Sequence, residues 1–88
     1  MAWTIELHER AARALRKLDR QTSERIVRFL AERIASSNDP RALGEALAGP
    51  LRGYWRYRVG DYRIVCDIQD SKITVLVLDI GNRREIYR

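Results

Sequence analysis

Apolar residues recur at helical spacing in the early part of this chain and at alternate positions in its last third, and few folds accommodate both patterns. The opening run Trp3-Thr4-Ile5-Glu6-Leu7 alternates apolar and polar, as a half-buried strand does. The period then lengthens. Ala11, Ala12, Leu15 and Leu18 fall on one helical face, with Arg10, Arg13, Arg16 and Lys17 elsewhere. Asp19 offers an N-cap for a second helix, whose apolar stripe is Ile26, Val27, Leu30, Ala31 and Ile34. So short a join predicts an antiparallel helix hairpin. Ser36-Ser37-Asn38-Asp39-Pro40 ends the second helix, because proline cannot continue it and biases its predecessor away from helix.

Residues 41–53, with Leu43, Leu47 and Leu51, read as a partly ordered loop pinned by its leucines. Tyr54-Trp55-Arg56-Tyr57-Arg58-Val59 alternates again, Gly60-Asp61 supplies a turn, and Tyr62 to Ile68 resumes. Lys72 to Ile80 is a nearly continuous apolar, β-branched run, the pattern of a buried central strand, with Gly81 as its stop. The order β-α-α-β-β-β predicts one α+β domain over residues 1–88. Its N-terminal helix hairpin packs on one face of a small, mainly antiparallel, twisted sheet.

A domain of 88 residues buries a modest share of its surface, and its 45% hydrophobic content excludes a disordered chain. Seventeen Lys+Arg against twelve Asp+Glu give a formal charge of +5. All but Lys17 and Lys72 of those cations are arginine; a GC-rich genome produces the same bias, so position has to decide its meaning. Cys66, the only cysteine, sits in an apolar strand and reads as a buried, inert thiol. His8, the only histidine, reads as a surface residue of a helix cap. No metal-ligand spacing and no cofactor motif is present. No apolar stretch approaches the ~20 residues of a membrane span, and no leader precedes the first strand, so the chain reads as cytoplasmic.

The arginines have a pattern. Alternation puts Arg56 and Arg58 on one face of their strand, and the tight turn brings Arg63 near them. Arg83, Arg84 and Arg88 follow the last strand. Guanidinium groups repel one another, but their planar forks match phosphate oxygens. An ordinary solvated face paired with Asp61, Asp67, Asp70 or Asp79 is the competing reading. Tyr54, Tyr57, Tyr62 and Tyr87 suit base stacking, and each also suits a core or rim position.

At these residues the chain resembles the RelE/ParE toxin superfamily, and its RelE branch most. The resemblance rests on His8-Glu9-Arg10-Ala11 with Leu15-Arg16-Lys17-Leu18, on Pro50-Leu51-Arg52-Gly53 before the basic strand, on Gly60-Asp61-Tyr62-Arg63-Ile64-Val65, and on Gly81-Asn82-Arg83-Arg84-Glu85-Ile86-Tyr87. It implies a toxin of a type II toxin–antitoxin system that enters the ribosomal A site, meets 16S-type rRNA and cleaves mRNA by attack of a 2′-hydroxyl on the adjacent phosphate. It also implies a neutralising antitoxin protein. The implied catalytic residues are Arg56, Arg58, Arg63, Arg83 and Tyr87, and Arg52, Arg84, Arg88 and Tyr57 are the expected further RNA contacts.

Two departures bear on chemistry. Relatives commonly carry lysine where this chain has Arg56 and Arg58, and arginine stays protonated in proteins. Many place a histidine where this chain has Asn82. Tyr87 is then the best candidate base, its pKa drawn down by neighbouring arginines, and the ribosome is expected to supply substrate orientation. The alternatives are a ParE-like inhibitor of DNA gyrase without nuclease activity, and a degenerate homologue that binds RNA or antitoxin without cutting.

Overall fold

The computed structural model of the chain describes residues 2–82. β1 (Thr4–Leu7) leads into α1 (Glu9–Lys17) and α2 (Arg20–Phe29), which a π-helical turn extends over Leu30–Ile34. There follow β2 (Glu45–Ala46), β3 (Trp55–Val59), β4 (Tyr62–Gln69) and β5 (Thr74–Asn82). The sheet order is β1-β5-β4-β3-β2. β1 runs parallel to β5, and the remaining neighbours are antiparallel. The α+β class, the helix hairpin and the order of the main strands agree with the sequence pattern.

Local chemistry sets the helix ends. The His8 imidazole accepts from Arg10 N–H at 3.1 Å, and the Asp19 carboxylate accepts from Thr22 N–H at 3.0 Å. Each satisfies a donor that the first turn would otherwise leave open. Hydrogen bonding from Thr22, from its side chain first and its backbone second, holds the Asp19 carboxyl below its ordinary pKa. Ala11 and Leu15 of α1, with Ile26, Leu30 and Ile34 of the second helix, bury against Tyr57, Val59, Ile64, Cys66, Ile68, Val75, Val77 and Ile80 of the sheet.

Three features of the sheet differ from the sequence-based expectation. The segment read as a loop contains β2, whose Glu45 and Ala46 pair with Arg56 and Trp55. The last strand begins at Thr74 rather than Lys72, because Ile73 takes a left-handed conformation (φ 48°) closing the Asp70–Lys72 turn. It also continues through Gly81 to Asn82. A bulge between its registers with Val65 (opposite Asp79) and Cys66 (opposite Val77) leaves Leu78 unmatched. That extra residue lets Val77 and Ile80, an odd number apart, both reach the core. Among the described residues no helix is long and apolar enough to cross a membrane.

Candidate nucleic-acid interface

The core takes one face of the sheet, and the arginines take the other. Tyr57 and Val59 of β3 and Ile64, Cys66 and Ile68 of β4 point into the core, so Arg56, Arg58, Arg63, Val65 and Asp67 point away from the helices. The register sharpens this. Arg58 stands directly opposite Arg63, and Arg63 stands opposite Gly81, which adds no side chain beside it. In the next row Arg56 lies between Glu45 and Val65, with Asp79 beyond. Directly opposed residues hold their Cβ atoms about 4.5–5.5 Å apart, where like charges destabilise a sheet.

The Arg56 row carries a counter-charge of its own. The Arg56 guanidinium donates to the Glu45 carboxylate, so this half-buried cation carries a partner from the strand that sequence reading missed. Two residues are too few to display a period, which is why Glu45 left no signal. The Asp70 carboxylate takes a two-pronged bond from Arg41 instead, at 2.9 and 2.6 Å. Those bonds hold Asp70 below its ordinary pKa. Arg41 also lies 5.8 Å from the Trp55 ring centre, tying the turn after the second helix to β3.

Tyr57 departs from its expected role as an RNA contact. It is 1% exposed, meets Phe29 edge to face at 5.8 Å between ring centres, and donates its hydroxyl to Pro40 C=O at 2.8 Å. Burial pushes its pKa well above the ordinary tyrosine value. Alternation alone turns it towards the core; the structural role follows from that. Tyr54, by contrast, lines a cavity of about 290 Å³ on the arginine face with Arg10, Leu51, Val65, Leu78 and Asp79. Asp79 presents one carboxylate oxygen to Ile80 N–H at 2.9 Å. Leu78, which the bulge leaves unmatched, is part of this lining, and nothing in the sequence marks it. Arg52, from the expected RNA-contacting set, is exposed in the loop before β3. Arg83, Arg84, Tyr87 and Arg88 lie outside the described residues.

Cys66 is fully buried, and loss of solvation drives its thiol pKa far up, which removes it as a nucleophile at neutral pH. Among the described residues no group of three His, Cys, Asp or Glu side chains gathers as a metal site. What the open face offers is fixed positive charge: Arg56, Arg58 and Arg63 can hold an anion but cannot take a proton from it.

The family model for the ParE toxin of type II toxin–antitoxin systems matches residues 5–87. The chain belongs to this toxin family. Toxin RelG of Mycobacterium tuberculosis is 32% identical over 88 residues, covering 100% of this chain and 99% of that protein. The mRNA interferase toxin RelE of Escherichia coli is 32% identical over 90 residues, covering 99% and 92%. Among solved structures, the RelBE2 toxin–antitoxin complex of M. tuberculosis superposes with a TM-score of 0.86 at 27% identity, covering 97% of this chain and 95% of that one. The isolated E. coli RelE toxin gives 0.73 at 27% identity, over 98% and 92%. The chain is thus a RelE-like type II toxin, and its two-helix, five-strand architecture is the RelE fold.

Proposed function

We propose that this toxin is a ribosome-dependent endoribonuclease that cuts mRNA in the A site. The observation that carries the reading is the Arg58–Arg63 pair, two cations opposed across β3 and β4 on the face the helices leave open. Placing them there opposes stability and favours an anion. A phosphodiester passing between them gains charge stabilisation as its phosphate becomes crowded. The 2′-oxygen bonds to phosphorus while the bond to the 5′-oxygen breaks, leaving a 2′,3′-cyclic phosphate and a 5′-hydroxyl. Arg83 joins the phosphate grip with Arg56 in support, Tyr87 in its ionised form accepts the 2′-hydroxyl proton, and solvent water protonates the departing 5′-oxygen.

With proton transfer resting on one tyrosine, orientation by the ribosome has to supply much of the rate, and orientation is worth on the order of 7–11 kcal/mol. The test is primer extension on mRNA threaded through purified ribosomes. Codon-phased A-site cuts, lost in Arg63→Ala and in Tyr87→Ala, are expected. Absence of cuts with the intact toxin overturns the nuclease. The match to a ParE toxin model favours one second reading, inhibition of DNA gyrase through protein contacts. It predicts that supercoiling fails before translation in cells expressing the toxin.

A cognate antitoxin completes the proposal. E. coli RelE and the M. tuberculosis relative are known in complexes with antitoxins. On this chain an apolar groove of about 170 Å³ runs beside the outer edge of β1, lined by Ile5, Leu7, Leu15, Val27, Leu30 and Ala31. Leu7 is 42% and Val27 49% exposed, and an apolar segment of the antitoxin would cover both. Val27→Asp is expected to abolish co-purification with the antitoxin.

A further inference from the structure

A second set of arginines lies around the edge of β3 from the first. Arg25, Arg28 and Arg33, from α2 and its π-helical extension, line a shallow cavity of about 310 Å³ together with Phe29, Glu32 and Arg58. All four arginines are exposed. None forms an ion pair among the described residues, although Arg13, Arg20, Arg41 and Arg56 each do. Glu32 is the single acid in the lining.

Local geometry gathers these cations. At 3.6 residues per turn, Arg33 would sit roughly 80° round the helix from Arg25. The turn that carries Arg33 is wider: Ala35 N–H donates to Leu30 C=O, five residues back, at 2.9 Å. A wider turn advances each residue through a smaller angle and brings Arg33 back towards the line of Arg25. Such turns recur at functional sites. At the other end, the Arg25 guanidinium lies over the β3–β4 turn, where a Cβ on Gly60 would meet its Nη1 at 3.1 Å. Gly60 has φ +58° and leaves that space open.

We propose that Arg25, Arg28 and Arg33 form a second phosphate-binding surface, which carries an RNA backbone onward from the Arg58–Arg63 pair around the open edge of β3. Arg58 belongs to both sets, and that continuity selects RNA over an acidic protein segment. β2 pairs only with Arg56 and Trp55, so the edge from Tyr57 to Val59 has no strand beside it among the described residues. The eight steps from Arg25 to Arg33 rise about 12 Å, enough to meet several phosphates of one strand. The proposal rests on the nucleic-acid reading of the open face and extends it to a binding track apart from the chemistry.

The test titrates wild-type toxin, Arg28→Ala/Arg33→Ala and Arg28→Lys/Arg33→Lys into a fluorescein-labelled 24-nucleotide RNA hairpin between 50 and 200 mM NaCl. The alanine pair is expected to bind at least tenfold more weakly at 100 mM. Its log K against log salt should be shallower by about 1.4–1.8, the share of two phosphate contacts. The lysine pair should retain the wild-type slope. On programmed ribosomes the alanine pair should raise KM for the ribosome and leave kcat within twofold.

Equal affinity and slope for all three proteins overturns the proposal. So does a polyglutamate peptide that distinguishes wild type from the alanine pair when the hairpin does not, which assigns the surface to an acidic protein. A reduced slope in the alanine pair, with no A-site cutting by wild type, retains the track and removes the nuclease. A wild-type toxin that cuts on ribosomes while the alanine pair matches it in KM and hairpin binding does the reverse.

Discussion

The two faces of this sheet are made by the same five strands and obey opposite rules. On the helix side, Tyr57, Ile64, Cys66, Val75 and Val77 are all within 1% of complete burial. The polar group that enters this layer, the Tyr57 hydroxyl, is bonded to Pro40 C=O. On the other side Arg58 faces Arg63 across the strand pair, and in the next row Arg56 pairs with Glu45. One face maximises contact and leaves no polar atom of Tyr57 unpaired. The other holds like charges side by side, an arrangement that a sheet built for stability alone would avoid. Residues two apart in sequence thus serve different ends, with period 2 as the divider.

This contrast breaks most readily at Tyr57. Tyr57→Ala removes a fully buried ring and is expected to cost about 3–5 kcal/mol, measured by urea denaturation. A loss below ~1 kcal/mol would mean that Tyr57 does not anchor the core. On the open face the prediction inverts. Arg63→Ala should lower A-site cleavage by about 10²–10³-fold, the usual effect of deleting one group that stabilises transition-state charge. Arg58→Ala, at an exposed position, should change unfolding free energy by no more than ~0.5 kcal/mol. Strong destabilisation by Arg58→Ala would erase the distinction between the faces.

A finer change sharpens the same comparison. Tyr57→Phe keeps the ring and deletes the bond to Pro40, so a loss of about 1 kcal/mol is expected, with cleavage unaffected. The smallest effect concerns acid. Asp70 is held below its ordinary pKa by Arg41, so the folded chain keeps this carboxylate ionised to lower pH than the unfolded chain does. Its contribution is complete above the unfolded aspartate range, near 3.9, and is lost as pH falls through the folded value. Asp70→Asn should therefore flatten the acid limb of the stability curve below about pH 4 and leave stability at pH 7 little changed, since this pair is solvent-exposed.

Much of this was legible in residue order. The switch of period located both helices and the main strands, Asp19 and His8 announced helix starts, and Cys66 in an apolar run announced a buried thiol. The family resemblance carried by Gly60 to Val65 and by the tail agrees with the match over residues 5–87. The site was read less fully. Alternation places Arg56, Arg58 and Arg63 on their face, and the same alternation turns Tyr57 into the core and away from RNA. Glu45, the cavity under Leu78, and the Arg25–Arg28–Arg33 surface carried no readable signal.

The sequence by itself determined the faces: which residues of each helix and strand are apolar together follows from backbone geometry, and a few neighbouring residues suffice to express it. Only the tertiary structure decided the neighbours. That β1 runs parallel to β5, that Arg58 meets Arg63, that Glu45 reaches Arg56 and that a bulge frees Leu78 all depend on register between segments. The physical reason is one of range. Period is set by bonds along the chain, whereas register is the joint outcome of core packing, turn geometry and ladder hydrogen bonds, and none of these resides in a single segment.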